Sequence, residues 1–317
     1  MELSIVIPVF NEEENIEPLI REIDAVMTPM AKSYEIVAVD DGSKDGTFAL
    51  LRGMHERRRS LKVVRLKRNF GQTAALAAGL SHADGEVIVL MDGDGQNDPA
   101  DIPALLSKLA EGNDLVAGWR HNRRDPFINR RLPSMIANWL ISWTTQVKLH
   151  DYGCTLKAMR RDLAKSLRLY GEMHRFIPAI AYERGAQIAE LRVNHRPRLR
   201  GQSKYGITRT LRVVLDLLTV KFLVSYSTRP AHVFGPIGVL SGLAGFVIAI
   251  YLTVQKFVYD EMIGGRPLLL LAILLIFIGF QFVTMGLLGE MLARTYHESQ
   301  DRSVYVVGEI LEGGKKL

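Results

Sequence analysis

The sequence predicts an α/β protein, with a mostly parallel sheet covered by helices on both faces and a C-terminal pair of transmembrane helices. Three observations carry this. Val- and Ile-rich runs alternate with helix-like intervals through the first 120 residues. Two later runs, Val233–Val254 and Pro267–Gly289, contain no charged residue. Acidic, glycine-containing turns follow the strand-like runs, where open α/β sheets bind their ligands.

The first strand is expected at Leu3–Phe10, followed by a helix over Glu13–Met27. Glu35–Asp40 leads to a helix over Asp45–Arg58, and Leu61–Leu66 to one over Gly71–Ser81. Glu86–Met91 leads to Pro99–Ala110, and Asp114–Trp119 is the next strand. The runs are nearly continuous in apolar residues, as strands buried on both faces are. Alternating β and α gives a parallel sheet wrapped by helices. The N-terminus has no basic region ahead of its apolar run and turns acidic by Glu12, so it reads as a strand and not as a signal peptide.

Each uncharged run is long enough to cross about 30 Å of hydrocarbon as a helix. Gln255–Arg266 between them is short and polar. Ahead of the first run lie Arg196, Arg198, Arg200, Lys204, Arg209, Arg212, Lys221 and Arg229, against Asp216 alone. The positive-inside rule then puts the N-terminal domain in the cytoplasm. Ile207–Tyr226, and Leu132–Leu149 with Trp139 and Trp143, read as interfacial amphipathic helices. Val304–Val307 reads as a short strand docking on a neighbour. The expected division is a catalytic domain over 1–206, an interfacial helix over 207–231, two spans over 232–289 and a cytoplasmic tail over 290–317.

The chain has 317 residues, 48% hydrophobic and 23% charged, values that argue against disorder, collagen and a polytopic transporter. A formal charge of +6 favours an anionic partner: nucleic acid, phospholipid or a phosphorylated substrate. The single cysteine, Cys154, excludes an intramolecular disulfide and a multi-cysteine metal site. It is expected to be a small buried apolar residue.

No G-x-x-x-x-G-K-[ST] loop occurs, and no G-x-G-x-x-G follows the first strand, which argues against a P-loop kinase and a dinucleotide-dependent dehydrogenase. Acids dominate the strand ends instead. Asp92 and Asp94 flank one glycine just past a buried strand, so both can reach one hard cation, Mg²⁺ or Mn²⁺, that bridges to substrate phosphates. An EF-hand is excluded, because its twelfth position counted from Asp92 is Pro103.

Four segments occur in order: VIPVFNEEENI, VDDGSKDGT, RNFGQTAALAAGL and MDGDGQNDP. Together they resemble family 2 glycosyltransferases of the GT-A fold, and most of all the polyprenyl-phosphate glycosyltransferases, over about Leu3 to Gly206. One departure is Asp92-Gly93-Asp94-Gly95-Gln96, where the family often has Asp-Ala-Asp-Leu-Gln. The resemblance implies that Pro8, Phe10, Glu12, Asp41 and Asp92 line the nucleotide-sugar pocket. It implies that Asp92, Asp94 and Gln96 hold the divalent ion on the diphosphate. Asp45 is expected to cap the following helix, and Arg68–Gly71 to organise the next one.

Basic residues recur after the sheet, at Arg120, Arg123, Arg124, Arg130, Arg131 and in His195–Lys204. Aromatic interleaving is thin and the basic run leads into the apolar spans, so nucleic acid is disfavoured. A lipid phosphate fits both facts. Arg198, Ser203 and Lys204, with Arg120 and Arg131, are the expected phosphate contacts. The resemblance puts Asp151, before Tyr152-Gly153, near the sugar and acceptor phosphate. A phosphate monoester is already ionised at neutral pH, so no general base is required; His174 is the histidine such a role would fall to.

The expected activity is inverting transfer of one sugar from a nucleotide sugar, UDP-glucose or another UDP-sugar, to a polyprenyl phosphate. GDP-mannose is the alternative donor. A processive polysaccharide synthase is disfavoured by the lack of Q-x-x-R-W and by only two spans. A non-catalytic nucleotide-sugar-binding protein is disfavoured by the intact acidic set. The expected setting is the bacterial inner membrane, with a homo-oligomer, a tetramer, as the assembly.

Overall fold

The computed structural model describes residues 1–121, 147, 149–169, 171, 173–196, 231–260, 262–299, 304–312 and 315–316. The expected interfacial helix over 207–231, apart from Ala231, nearly all of Leu132–Leu149, and Arg131, Arg198, Ser203 and Lys204 lie outside them. The chain divides into two units. One comprises Met1–Val220 with Ser303–Leu317, the other Lys221–Arg302.

The first unit is built on one sheet. Its strands are β1 (Leu3–Val9), β2 (Tyr34–Asp40), β3 (Leu61–Leu66), β4 (Val87–Leu90), β5 (Leu115–Arg120), β6 (Lys157–Arg160), β7 (Ile188–Val193), β8 (Val307–Glu312) and β9 (Lys315–Lys316). Among the described residues they are ordered β7-β5-β6-β4-β1-β2-β3-β8-β9. The centre, β3-β2-β1-β4, is parallel, as the alternating pattern predicts. The flanks make the sheet mixed: β6 runs antiparallel between β4 and β5, and β8 runs antiparallel along β3.

The helices are α1 (Glu13–Met27), α2 (Thr47–Arg57), α3 (Gln72–His82), α4 (Ile102–Ala110), α5 (Arg161–Ser166) and α6 (Ile177–Glu183). Alternation along β1 assigns them to faces. Leu3, Ile5, Ile7 and Val9 share one core with Ile16, Ile20 and Ile23 of α1, Leu51 of α2 and Leu105 of α4. Val6 and Val39 point to the other face, where α3 packs so closely that a side chain at Gly79 would strike Val6. Helices therefore cover both faces, and both faces of every central strand exclude water. That is why these strands read as unbroken apolar runs.

The tail strand corrects one expectation. It runs over Val307–Glu312 and pairs with β3 of its own chain, with Val64 opposite Ile310. An open parallel sheet leaves β3 with unpaired backbone groups, and the returning tail satisfies them.

The second unit holds α7 (Ala231–Val258) and α8 (Pro267–Ser299). Both contain stretches long and apolar enough to cross a membrane, Phe234–Val258 and Pro267–Gly289, of which only 17% and 11% is buried. A core helix of a soluble domain is mostly buried; these present Leu240, Phe246, Val247, Phe277 and Phe280 outward. The two pack backbone to backbone where Gly238 and Gly242 face Gly279.

Candidate active site

The site forms where β1, β2 and β4 end. The β1–α1 turn is tied to the β2–α2 turn. Asn11 N–H donates to Ser43 Oγ at 2.9 Å, Lys44 N–H to Asn11 Oδ1 at 2.9 Å, and Glu12 N–H to Thr47 Oγ1 at 3.0 Å. Glu12 also accepts from the Asn15 amide at 2.6 Å. Pro8, buried, and Phe10, half-buried, precede this knot. The N-cap of α2 is Gly46 and not Asp45; Asp45, one residue earlier, accepts from Thr47 N–H at 3.1 Å and steadies the turn into the helix.

Asp41 is almost fully buried. Its carboxylate accepts from Phe70 N–H at 2.7 Å and Gly71 N–H at 2.9 Å. It therefore fixes the Arg68–Gly71 turn that launches α3. Burial raises its pKa, against the two amide bonds that lower it. Gly42 makes this join possible: its φ is +68°, and a Cβ there would lie 2.5 Å from the Arg68 carbonyl carbon.

The Asp92–Gln96 turn leaves β4 beside the end of β1. A Cβ on Gly93 would lie 2.7 Å from Val9 Cγ1 and 3.1 Å from the Pro8 carbonyl oxygen. Val9 fills the space an alanine would need, which accounts physically for glycine at this position. Asp92 Oδ1 accepts from Gln72 Nε2 at 2.7 Å, and Thr155 hydrogen-bonds the same carboxyl. Gln96 N–H donates to Asp94 Oδ1 at 3.1 Å. Burial and then the neighbouring Asp94 charge push the Asp92 pKa up to about 6, against Thr155, Arg120 and Lys157.

A buried carboxylate whose proton affinity is raised by a neighbouring carboxylate gains from a nearby cation. Among the described residues no three His, Cys, Asp or Glu side chains gather as in an all-protein metal cage. The hard oxygen donors of Asp92, Asp94 and Gln96 instead fit an ion that keeps open positions for substrate phosphates.

On the other side of the turn, Arg120 at the end of β5 grips Asp151. Nε lies 2.7 Å from Oδ2, and Nη2 lies 2.9 Å from Oδ1. Burial opposes the Arg120 charge, but the Asp151 bonds outweigh it and raise its pKa. The resemblance put Asp151 near the sugar and acceptor phosphate, and Arg120 was expected on that phosphate; the fold pairs the two.

Several site residues were not anticipated. Lys157, 2% exposed, begins β6 and donates to the Cys154 carbonyl. Burial lowers its pKa, partly offset by Cys154, Asp151 and Asp92. Its one visible signal was a lone charge within the apolar stretch Leu156–Met159. Gln72 lies in the RNFGQTAALAAGL segment but was given no role, and Thr155 carried no signal of its own. Glu190 of β7 accepts from the backbone N–H of His150 at 2.9 Å and of Asp151 at 3.1 Å, and so aims the Asp151 turn. Cys154 is buried and inert as expected, its pKa pushed up to about 11 by burial. His174 Nδ1 shares a 2.7 Å hydrogen bond with Thr73 Oγ1. Burial, then Arg175 and Lys157, take the His174 pKa down to about 3.

A parallel-centred sheet with an acidic turn after β4 and no phosphate loop defines a glycosyltransferase of the GT-A type. Residues 4–168 match the family described as Glycosyl transferase family 2. The chain belongs to that family. It is 45% identical, over 98% of its own length and 94% of the relative's, to dodecaprenyl-phosphate galacturonate synthase of Rhizobium johnstonii. It is 37% identical, over 98% of its length and 90% of the relative's, to undecaprenyl-phosphate 4-deoxy-4-formamido-L-arabinose transferase of Pseudomonas paraeruginosa. The fold is similar to glucosyl-3-phosphoglycerate synthase from Mycobacterium tuberculosis, solved with Mn²⁺ and UDP-glucose. That likeness has a TM-score of 0.54 at 22% identity, covering 72% of this chain and 81% of that one.

Proposed function

We propose that this glycosyltransferase moves one sugar from a UDP-sugar to a polyprenyl phosphate, and that galacturonate is the sugar to test first. The observation that carries the reaction class is the Asp92–Asp94 turn with the Arg120–Asp151 pair near enough for the Arg120 charge to act on Asp92. The 45% identical relative named for galacturonate and dodecaprenyl phosphate supports the choice of sugar and lipid. Glucose is the second candidate and GDP-mannose the alternative donor.

Pro8, Phe10, Glu12 and Asp41 line the nucleotide pocket. Asp92 and Asp94, with Gln96, would hold Mg²⁺ or Mn²⁺. A bound divalent ion supplies Lewis-acid neutralisation of the departing nucleoside diphosphate. An oxygen of the lipid phosphate attacks the anomeric carbon, and the bond from that carbon to the diphosphate breaks with inversion. The nucleophile is already ionised, so no proton has to be removed. A His174 held near pKa 3 would be a poor base in any case. Asp151 and Arg120 orient the sugar and the acceptor phosphate, with Arg131, Arg198, Ser203 and Lys204 completing the phosphate contacts.

The α7–α8 hairpin anchors the enzyme in the bacterial inner membrane, with the sheet domain cytoplasmic. The chain leaves the sheet domain for the hairpin and returns to it at β8, which supports an even number of crossings. A homo-oligomer, up to a tetramer, is part of this proposal, and light scattering of the detergent-solubilised protein tests it.

The deciding experiment uses full-length protein in detergent with Mg²⁺ or Mn²⁺ and undecaprenyl phosphate. UDP-galacturonate, UDP-glucose and GDP-mannose are offered separately, and lipid products are weighed by mass spectrometry. One lipid-linked sugar from a UDP donor is expected. A polymer, or no lipid-dependent release of nucleoside diphosphate from any donor, overturns the reading.

A further inference from the structure

The acidic turn is held from outside as well as from within. Asn97 Oδ1 accepts from Asp92 N–H at 2.9 Å, and Asn97 forms an isolated antiparallel bridge with His195. The Gln96 carbonyl accepts from Arg196 N–H at 3.0 Å. Beyond it, Asp98 Oδ2 accepts from Asn194 Nδ2 at 2.9 Å, and Asp101 Oδ2 accepts from Asn194 N–H at 2.7 Å. Arg196 then spreads its guanidinium between two carboxylates: Nη2 to Asp98 Oδ1 at 2.6 Å, and Nη1 to Glu22 Oε2 of α1 at 2.6 Å.

These bonds come from a segment about 100 residues away in sequence. Asn97 and Asp98 are nearly fully buried, at 3% and 7% exposed. A turn rich in glycine has little stiffness of its own. Side chains that act as ligands must be held by neighbours that do not themselves touch the ligand. A forked, planar guanidinium joining two carboxylates fixes direction as well as distance, which a lysine ammonium does less well.

We propose that Asn194–Arg196 is a positioning element for the Asp92–Gln96 turn, with Arg196 as its main anchor. It ties the turn to α1 and so sets the spacing of the acidic pair. The proposal rests on the function given above only for the identity of the reaction; the positioning itself is readable without turnover.

The test uses full-length protein in detergent carrying Arg196→Ala, Arg196→Lys or Asn194→Ala, with Arg21→Ala as a surface control. Amide hydrogen exchange across residues 92–98 is measured first, without metal. Mn²⁺ affinity in the presence of UDP follows by calorimetry, and then KM for donor and for undecaprenyl phosphate. Arg196→Ala is expected to speed exchange across the turn and weaken Mn²⁺ by about tenfold or more, as loss of charge-assisted bonds would. Arg196→Lys recovers part of both effects, Asn194→Ala shows a smaller version, and Arg21→Ala matches wild type. If Arg196→Ala fails to fold, Asn194→Ala carries the same test. Wild-type exchange and Mn²⁺ affinity in the variants overturn the proposal. So does a rise in acceptor KM alone, which would make the segment an acceptor anchor only. Faster exchange in a protein that forms no lipid-linked sugar supports the positioning and sinks only the proposed reaction.

Discussion

Arg120 holds Asp151 with both arms of its guanidinium, and both side chains are withdrawn from water, at 14% and 4% exposed. Removing one partner strands the other. Arg120→Ala is expected to destabilise the protein by about 3–5 kcal/mol, the usual effect of leaving one buried ion unpaired. Asp151→Asn keeps the shape and one acceptor, and should reduce stability less while still abolishing most transfer. Thermal unfolding beside single-turnover rates separates the two. Equal stability loss in both variants would contradict this, and would mean that the charge of Asp151 carries the whole contribution of the pair to the fold.

Asp92 is a carboxylate kept against its preference. Its pKa of about 6, raised by burial and by Asp94, lies above the ordinary value of 3.8. The folded state therefore binds a proton that the unfolded state does not hold between those values. The resulting stabilisation is complete below pH 3.8 and is lost as pH rises through 6. At neutral pH the metal-free protein carries this as a penalty of about 3 kcal/mol. Asp92→Asn should raise the unfolding temperature of the metal-free protein at pH 7.5 and leave it nearly unchanged at pH 4. An unchanged or lower midpoint at pH 7.5 would contradict the burial of this charge.

His174 behaves in the opposite sense. Its folded pKa, near 3, lies below the ordinary 6.5, because burial and the cations Arg175 and Lys157 oppose a second proton. Stability from its neutral form is complete above pH 6.5 and is lost as pH falls toward 3. His174→Asn keeps a hydrogen-bonding group for Thr73 and adds no charge in acid. Its stability should fall less between pH 6.5 and 4 than that of wild type. The pH–rate profile from 6 to 8 should keep its shape, since His174 does not titrate there. A lost limb in that range would restore it as a proton carrier.

Much of this was legible in the sequence, for physical reasons that also mark the limits. The strands β1 to β5 could be read because each is an uninterrupted or nearly uninterrupted apolar run, and helices α1 to α4 because they fill the intervals between those runs. The hairpin could be read because no charge interrupts it. β6 escaped: it is four residues long and carries Lys157 and Arg160 at its ends. β7, at the sheet edge, is half-exposed and includes Glu190 and Arg192. Asp92 and Asp94 stood out as acids directly after a buried strand. The groups that set their chemistry, Gln72, Thr155 and Lys157, did not, because only the fold brings α3 and β6 to the end of β4. The tail strand was seen as β but placed three residues early and on the wrong partner. Its register is decided by pairing with β3, which no local pattern records.

That tail gives the last prediction. Lys62 of β3 is 8% exposed in its side chain and meets three acids: Asp84 at 2.7 Å, Glu312 of β8 at 2.7 Å and Glu35 at 3.6 Å. Burial alone would lower its pKa, but Asp84 and Glu312 together raise it. A second tie, Arg52 to Glu309, is bidentate at 2.7 Å but lies on the surface. Exposed pairs contribute about 0–1 kcal/mol, so Glu309→Gln should barely move the unfolding midpoint. Glu312→Gln should destabilise more, because it removes one of two close counter-charges from a buried ammonium, yet Asp84 keeps that loss to about 1–2 kcal/mol. Deleting residues 303–317 should be worse than both changes together. It uncovers the backbone edge of β3 and takes away the buried Leu311 that packs on the core, leaving a sheet edge open to pairing with other copies. Thermal unfolding and light scattering of the full-length variants and the truncation should rank them in that order. A truncation as stable and as monodisperse as Glu309→Gln would mean that β8 is dispensable for closing the sheet.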